Sequence, residues 1–149
     1  MKAVIQRVLS ADLKVDEKLI SEIKKGFVIF LGIGQGDNAA DLEKIANKIA
    51  KLRIFEDENG KMNLSIKDVD GEILLVSQFT LYADCRHGNR PSFIDAEKPE
   101  IANDLYLRMK DNLVSQGLDV KTGVFGADMK INVHNDGPVT ILLDSKELK

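Results

Sequence analysis

Phe27-Val28-Ile29-Phe30-Leu31-Gly32-Ile33 is a short, apolar run rich in β-branched and aromatic residues. It contains no polar side chain, so it reads as a central strand covered on both faces. Upstream, Ala3-Val4-Ile5-Gln6-Arg7-Val8-Leu9 is a second branched-residue strand. Shorter ones are expected at Leu13–Val15 and Leu19–Ile23, the latter leading through Lys24-Lys25-Gly26 into the central run. Downstream, Asp37 or Asn38 supplies a helix cap. Leu42, Ile45, Ile49 and Leu52 then follow at spacings of three, four and three, with Ala46 and Ala50 widening the stripe. This predicts an amphipathic helix ending near Phe55. Glu56-Asp57-Glu58-Asn59-Gly60 reads as a turn.

The second half repeats the alternation. Glu72–Val76 reads as a buried strand running directly into Ser77-Gln78-Phe79-Thr80-Leu81. Pro99 opens a second helix, whose stripe is Ile101, Leu105, Met109 and Leu113 and whose end is near Gly117. Val120–Phe125, Lys130–Asn135 and Val139–Leu143 read as strands, with Asn135-Asp136-Gly137-Pro138 as the turn between the last two. The order predicts an α+β fold: a small closed or barrel-like, antiparallel-rich β-sheet covered by two main helices. The length of 149 residues predicts one domain, 1–149, large enough to build a core without staples.

Composition narrows the function classes. One cysteine excludes an internal disulfide framework and any multi-cysteine zinc site. With 21 basic and 24 acidic residues the formal charge is -3, so the basic excess of a duplex-coating protein is missing. A local pocket for a nucleic-acid end remains compatible; the densest basic stretch is Asp84-Cys85-Arg86-His87-Gly88-Asn89-Arg90-Pro91. No apolar run reaches the ~20 residues that span a bilayer. The N-terminal stretch lacks a signal-peptide core, and a cytoplasmic protein without membrane partners is expected.

Several segments invite chemical readings. Gly32-Ile33-Gly34-Gln35-Gly36 lies between strand and helix, but its glycine spacing is not that of a phosphate loop and Asp37 follows. It reads as a strand-to-helix turn. Cys85, His87 and His134 match no metal-ligand spacing. Ser77 or Thr80 with His134 and Asp144 would make a hydrolase triad only if a base lay within reach, and the Gly-x-Ser-x-Gly elbow is absent. Ser77-Gln78-Phe79-Thr80 places three polar side chains at the end of a buried strand. Such groups need partners or a ligand, unless the strand simply crosses from core to surface.

In Ser77-Gln78-Phe79-Thr80-Leu81, Gly88-Asn89-Arg90-Pro91-Ser92-Phe93 and Asn135-Asp136-Gly137-Pro138-Val139-Thr140, the chain closely resembles the D-aminoacyl-tRNA deacylase family, the homodimeric chiral-proofreading enzymes of translation. Met1–Val8 and Phe125-Gly126-Ala127-Asp128-Met129 fit as well, so the resemblance runs essentially end to end. Ala83 stands where many members carry glycine. The resemblance implies a barrel-like α+β domain that hydrolyses the ester between a D-amino acid and the 3′-terminal adenosine of tRNA. It implies a homodimer with the active site at the subunit interface, and neither metal nor cofactor. The site residues it implies are Ser77, Gln78, Phe79 and Thr80 along one side of the pocket. Gly137 and Pro138, joined by a cis bond, would be inserted from the other subunit as a wall excluding L-aminoacyl-tRNA. Arg7 would fix that pair, Met129 would sit near the terminal adenosine or aminoacyl group, and Asn135 would belong to the substrate-binding set. A wall that excludes side chains leaves glycine unopposed, so glycyl-tRNA mischarged on tRNA(Ala) is also an expected substrate. Two other classes remain open: a general esterase using Thr80, and a non-catalytic module that binds RNA ends.

Overall fold

The computed structural model describes residues 1–149. Its elements in chain order are β1 (Lys2–Val15), β2 (Lys18–Ile23), β3 (Gly26–Gly32), α1 (Ala39–Lys51), β4 (Phe55–Glu56), β5 (Met62–Leu64), β6 (Glu72–Ser77), a short 3₁₀ turn (Phe79–Tyr82), α2 (Pro99–Ser115), β7 (Asp119–Thr122) and β8 (Lys130–Asp144).

Strand β1 organises the sheet. Its first half pairs antiparallel with β3, its second half with β2, and its whole length with β8 on the other side. The sheet continues in parallel from β3 to β6 and from β6 to β7. Two of the five pairings are therefore parallel within the predicted antiparallel-rich sheet. The reason is connectivity: α1 and α2 are the crossovers that a parallel pair requires. The sheet curls until β2 meets β7, where Ser21 Oγ donates to the Thr122 carbonyl and Lys121 Nζ donates to the Glu22 carbonyl at 2.8 Å. A nearly closed, barrel-like α+β architecture with two helices results.

Both sheet faces are apolar. On one, Ala3, Ile5, Phe27, Ile29, Leu31, Ile73 and Leu75 pack with Leu42, Ile45 and Ile49 of α1 and with Leu105, Met109 and Leu113 of α2. On the other, Val8, Ala11, Leu13, Ile23, Val28, Leu74 and Val76 form a smaller cluster inside the curl. Coverage of both faces explains why Ile73–Val76 is buried at every position.

Local details differ from the sequence reading in informative ways. Leu13–Val15 is not a separate strand; it continues β1 past a register shift at Leu13/Lys14. Helix α1 starts with an Asn38 capping box and stops at Lys51, so Leu52 serves as its cap rather than its last stripe residue. In α2 the buried stripe is Ala102, Leu105, Tyr106, Met109 and Leu113, and Ile101 is exposed, because the helix rolls its tyrosine onto the sheet. Asn135–Pro138 is not a hairpin turn. β8 is one 15-residue strand, and Asp136–Val139 bulges out between the pairs Gln6↔Thr140 and Val8↔Asn135. Long β1 offers a ladder on both sides of the bulge, so the strand resumes after it.

Candidate active site

Where β6 ends, the sheet opens into a cavity of ≈680 Å³. Its walls are the end of β6 and the following turn, the segment Phe93–Lys98, the first turns of α2, and the β7–β8 connection from Phe125 to Met129. The lining is mostly apolar, with Ser77, Gln78, Glu97, Lys98, Asp128 and the Tyr106 hydroxyl as its polar side-chain groups. An apolar enclosure with few polar groups is the ordinary form of a small-ligand site.

The polar run ending β6 is explained by what the backbone does there. The Gln78 N–H donates to the Leu31 carbonyl at 2.8 Å and completes the parallel ladder. The chain then tightens into the 3₁₀ turn, with Leu81 N–H donating to Gln78 O at 3.3 Å and Ala83 N–H to Thr80 O at 3.0 Å. The N–H groups of Phe79 and Thr80 open this turn, ahead of any carbonyl of the turn that could accept them. Phe79 is 57% exposed and meets Phe93 edge to face, with centroids 5.1 Å apart. It is therefore not a core residue. Ser77 and Gln78 are half-buried, and the run emerges from core to surface at the mouth of the cavity.

Thr80 is held by Gln78, whose Nε2 donates to Thr80 Oγ1 at 2.6 Å. No histidine or carboxylate hydrogen-bonds to Thr80 or Ser77. His87 and His134 are exposed and line no part of the cavity. Tyr106, deeper in the wall, donates from its hydroxyl to the Leu75 carbonyl at 2.6 Å, and burial pushes its pKa up to about 12. It is a fixed donor at neutral pH and not a base. No cluster of three His, Cys, Asp or Glu side chains is placed to hold a metal ion.

A second constellation lies at the β8 bulge. Arg7, 4% exposed, donates from Nη1 to the Ile54 carbonyl at 2.7 Å and from Nε to the Asp136 carbonyl at 3.1 Å. The Asp136 carboxylate lies 3.4 Å from the same Nε. Gly137 has φ +126°, and a Cβ there would lie 2.9 Å from Val139 Cγ2 and 3.2 Å from Arg7 Nη2, so no other residue fits without strain. The Gly137–Pro138 peptide bond is cis, and both residues are exposed.

Of the sequence-predicted site residues, the cavity gathers Ser77, Gln78, Phe79 and Met129. Thr80 stands beside Phe79 outside the lining. Arg7, Asn135, Gly137 and Pro138 are grouped at the bulge and do not line this chain's cavity. Tyr106, Ile94 and the Glu97–Pro99 entry to α2 are wall residues that sequence reasoning missed; the polar tip in an otherwise apolar stripe was the signal for Tyr106. In the basic stretch, Arg86 forms a two-pronged pair with Asp84, at 2.8 and 2.7 Å, which holds the Asp84 pKa down to about 2. Arg90 and His87 beside it are exposed.

Known proteins are similar to this chain along nearly its whole length. Residues 4–144 match the profile of the family described as D-Tyr-tRNA(Tyr) deacylase. The chain is 54% identical over 148 residues to a D-aminoacyl-tRNA deacylase of Thermotoga petrophila, covering 99% of both chains. It is 55% identical over 149 residues to one of Dictyoglomus turgidum, covering 100% of this chain and 96% of the other. Among solved structures it is similar to a c-Myc DNA Unwinding Element Binding Protein, with TM-score 0.91, 43% identity, and 97% and 98% of the two chains covered. A probable eukaryotic D-amino acid tRNA deacylase superposes with TM-score 0.82 at 17% identity over 95% and 97% of the chains, a likeness of fold.

Proposed function

The chain belongs to the D-Tyr-tRNA(Tyr) deacylase family, and from that premise we propose how its own residues carry out the reaction. It is a D-aminoacyl-tRNA deacylase, an ester hydrolase acting on aminoacyl-tRNA. The observation that supports the residue-level reading is the 3₁₀ turn at the cavity mouth, which begins at Phe79 and Thr80 with no base hydrogen-bonded to Thr80; in this reading its first N–H groups receive the developing oxyanion.

The aminoacyl end enters the cavity, with its ester carbonyl oxygen directed at those N–H groups. Water attacks the carbonyl carbon, and the tetrahedral oxyanion is held by the two main-chain donors. Collapse breaks the bond to the ribose 3′-oxygen, which takes up a proton, and free D-amino acid and tRNA leave. Aminoacyl esters are already activated, so a modest barrier reduction suffices. The ribose 2′-hydroxyl beside the ester assists the attacking water and supplies the role that no side chain fills. Thr80 as nucleophile would need a partner to take its proton, and its oxygen instead accepts from Gln78. Phe79 and Met129 position the terminal adenosine or the aminoacyl group.

Chiral selection is assigned to Gly137 and Pro138 of a second copy, held in shape by Arg7, with Asn135 at the base of the same bulge. Their exposure in the single chain, away from its cavity, supports insertion into a partner. Leu142, 77% exposed on the same strand, supports a covered β8 face. The working unit is thus a homodimer with its site at the subunit interface. Each chain forms one domain, 1–149, and acts in the cytoplasm where aminoacyl-tRNA is used. No helix is long and apolar enough to cross a membrane. A main-chain wall rejects L-side chains by clash rather than gripping a D-side chain. Glycine escapes it, so glycyl-tRNA mischarged on tRNA(Ala) is hydrolysed too. Arg90 and nearby lysines meet acceptor-stem phosphates, with weak base readout.

Incubation with D-tyrosyl-tRNA, followed by gel, tests this reading. Ester loss with release of intact tRNA is expected. Tight binding without ester loss, or equal turnover of simple esters lacking RNA, would contradict it.

A further inference from the structure

The turn Ile33–Asp37 was legible only as a strand-to-helix connection, yet both walls of the cavity hang on it. Of its three flanking and internal glycines, only Gly36 has a positive φ, +83°. Gly32 and Gly34 have conformations open to any residue, so what their positions require is space. A Cβ on Gly34 would lie 2.5 Å from Cε1 and 2.6 Å from Cζ of Tyr82. One on Gly32 would lie 3.0 Å from the Gln78 carbonyl oxygen and from Leu81 Cβ. The two bare backbone positions are the seat on which the Phe79–Tyr82 turn rests.

The seat is also latched. The Asp37 carboxylate, 5% exposed, accepts the Gly34 N–H at 2.7 Å, the Tyr82 hydroxyl at 3.3 Å, and the Met1 amino group at 2.7 Å. Burial and the Asp37 charge both raise the Tyr82 pKa, which keeps that hydroxyl a donor. On its other side the same turn holds the opposite wall. The Gln35 N–H donates to the Asp95 carbonyl at 2.9 Å, and Gln35 Nε2 donates to the Ile94 carbonyl. The Gly36 N–H donates to Glu97 Oε2 at 3.1 Å, and the Glu97 N–H donates to the Ile33 carbonyl at 3.0 Å. That wall carries Phe93, the edge-to-face partner of Phe79.

We propose that Gly34 and Tyr82 are positioning residues for the deacylation: ring-on-backbone contact between them sets the Phe79 and Thr80 N–H groups against the Phe93 wall. This rests on the deacylase reading above. A displaced oxyanion donor weakens the transition state more than the bound ester, so the signature is in kcat and not in KM.

The test uses the full chain with D-tyrosyl-tRNA and four variants: Gly34→Ala, Tyr82→Ala, Tyr82→Phe, and Gly34→Ala with Tyr82→Ala together. Gly34→Ala and Tyr82→Ala are each expected to lower kcat at least about tenfold with KM within about threefold. Tyr82→Phe, which keeps the ring on Gly34, retains kcat within about threefold, and the double variant loses no more than the worse single one. The amide NMR signals of Phe79 and Thr80 shift in Gly34→Ala and Tyr82→Ala, whatever the activity. If Gly34→Ala does not fold, Tyr82→Ala decides alone. Activity that falls only in proportion to unfolded protein, with unmoved Phe79 and Thr80 amides, overturns the proposal. A wild-type protein inert toward the D-ester would instead overturn the deacylase reading, and the amide shifts would still judge the positioning.

Discussion

Arg7 on β1 donates from Nε to the main-chain carbonyl of Asp136 on β8 at 3.1 Å, directly across the bulge that carries Gly137 and Pro138. A guanidinium fits this place because it serves two carbonyls in different directions, Asp136 and Ile54, while 4% exposed. Arg7→Ala would leave both carbonyls without their donor. We expect a loss of about 3 kcal/mol, or roughly 6–12 °C in Tm, read by thermal denaturation. Arg7→Lys should recover only part, since one ammonium cannot reproduce the fork. A variant melting within about 1 °C of wild type would deny the bulge its dependence on Arg7.

Thr80→Ala separates the two ways of attacking the ester. The Thr80 side chain is exposed and only accepts from Gln78, so its removal should keep activity within about tenfold, with no aminoacyl-enzyme trapped on the wild type. A D-aminoacyl-tRNA ending in 2′-deoxyadenosine should react at least about a hundredfold more slowly, the usual scale of a lost acid–base participant. Full turnover of the deoxy substrate would reject assistance by the RNA.

Phe79→Ala should hurt catalysis more than folding. At 57% exposure the ring contributes little burial, and its chief loss is the edge-to-face pair with Phe93, worth about 1 kcal/mol. Activity on D-tyrosyl-tRNA should fall at least about tenfold, the direction expected when a substrate-positioning contact is lost. A collapse in Tm with kcat unchanged per folded molecule would return Phe79 to a structural role.

The chain has two tyrosines, and both have raised pKa values: Tyr106 by burial, to about 12, and Tyr82 by burial and then the Asp37 charge. A folded-state pKa above the unfolded value of about 10 contributes stability below that pH and loses it as pH rises through and beyond it. These groups therefore leave stability flat from about pH 6 to 9 and erode it above about pH 10. Ultraviolet titration of phenolate should show both tyrosines ionising above a free tyrosine, with denaturation in the same range. A tyrosine titrating normally in the folded protein would remove one of these two donors.

The legible parts of this protein were those where one local cause decides the outcome. The Phe27–Ile33 run reads as a covered strand from its composition alone, and a cap at Asp37 or Asn38 followed by an apolar stripe reads as a helix; the structure gives the cap to Asn38. Asn135–Pro138 misled because turn-forming residues suit a bulge as well as a hairpin; the difference is the length of β1 opposite, which lies far away in sequence. Ile101 misled because spacing alone did not weigh the roll that brings Tyr106 onto Leu75. At the site, the polar run Ser77–Thr80 was conspicuous for lacking partners. The roles of Gly34 and Asp37 were hidden, since a glycine needed for space looks the same in sequence as one needed for a turn.

Handedness is what the Gly137–Pro138 bulge is proposed to decide. Matched D-tyrosyl-, L-tyrosyl- and glycyl-tRNA, incubated with the purified protein and followed by gel, test it most directly. Gly137 is confined to a conformation and a contact that only glycine permits, so the wall proposed for it with Pro138 would be main chain and indifferent to which D-side chain is present. Rapid loss of the D-tyrosyl ester, measurable loss of the glycyl ester, and an L-tyrosyl ester that decays at its rate in buffer are expected. Comparable cleavage of the L- and D-tyrosyl esters would contradict it.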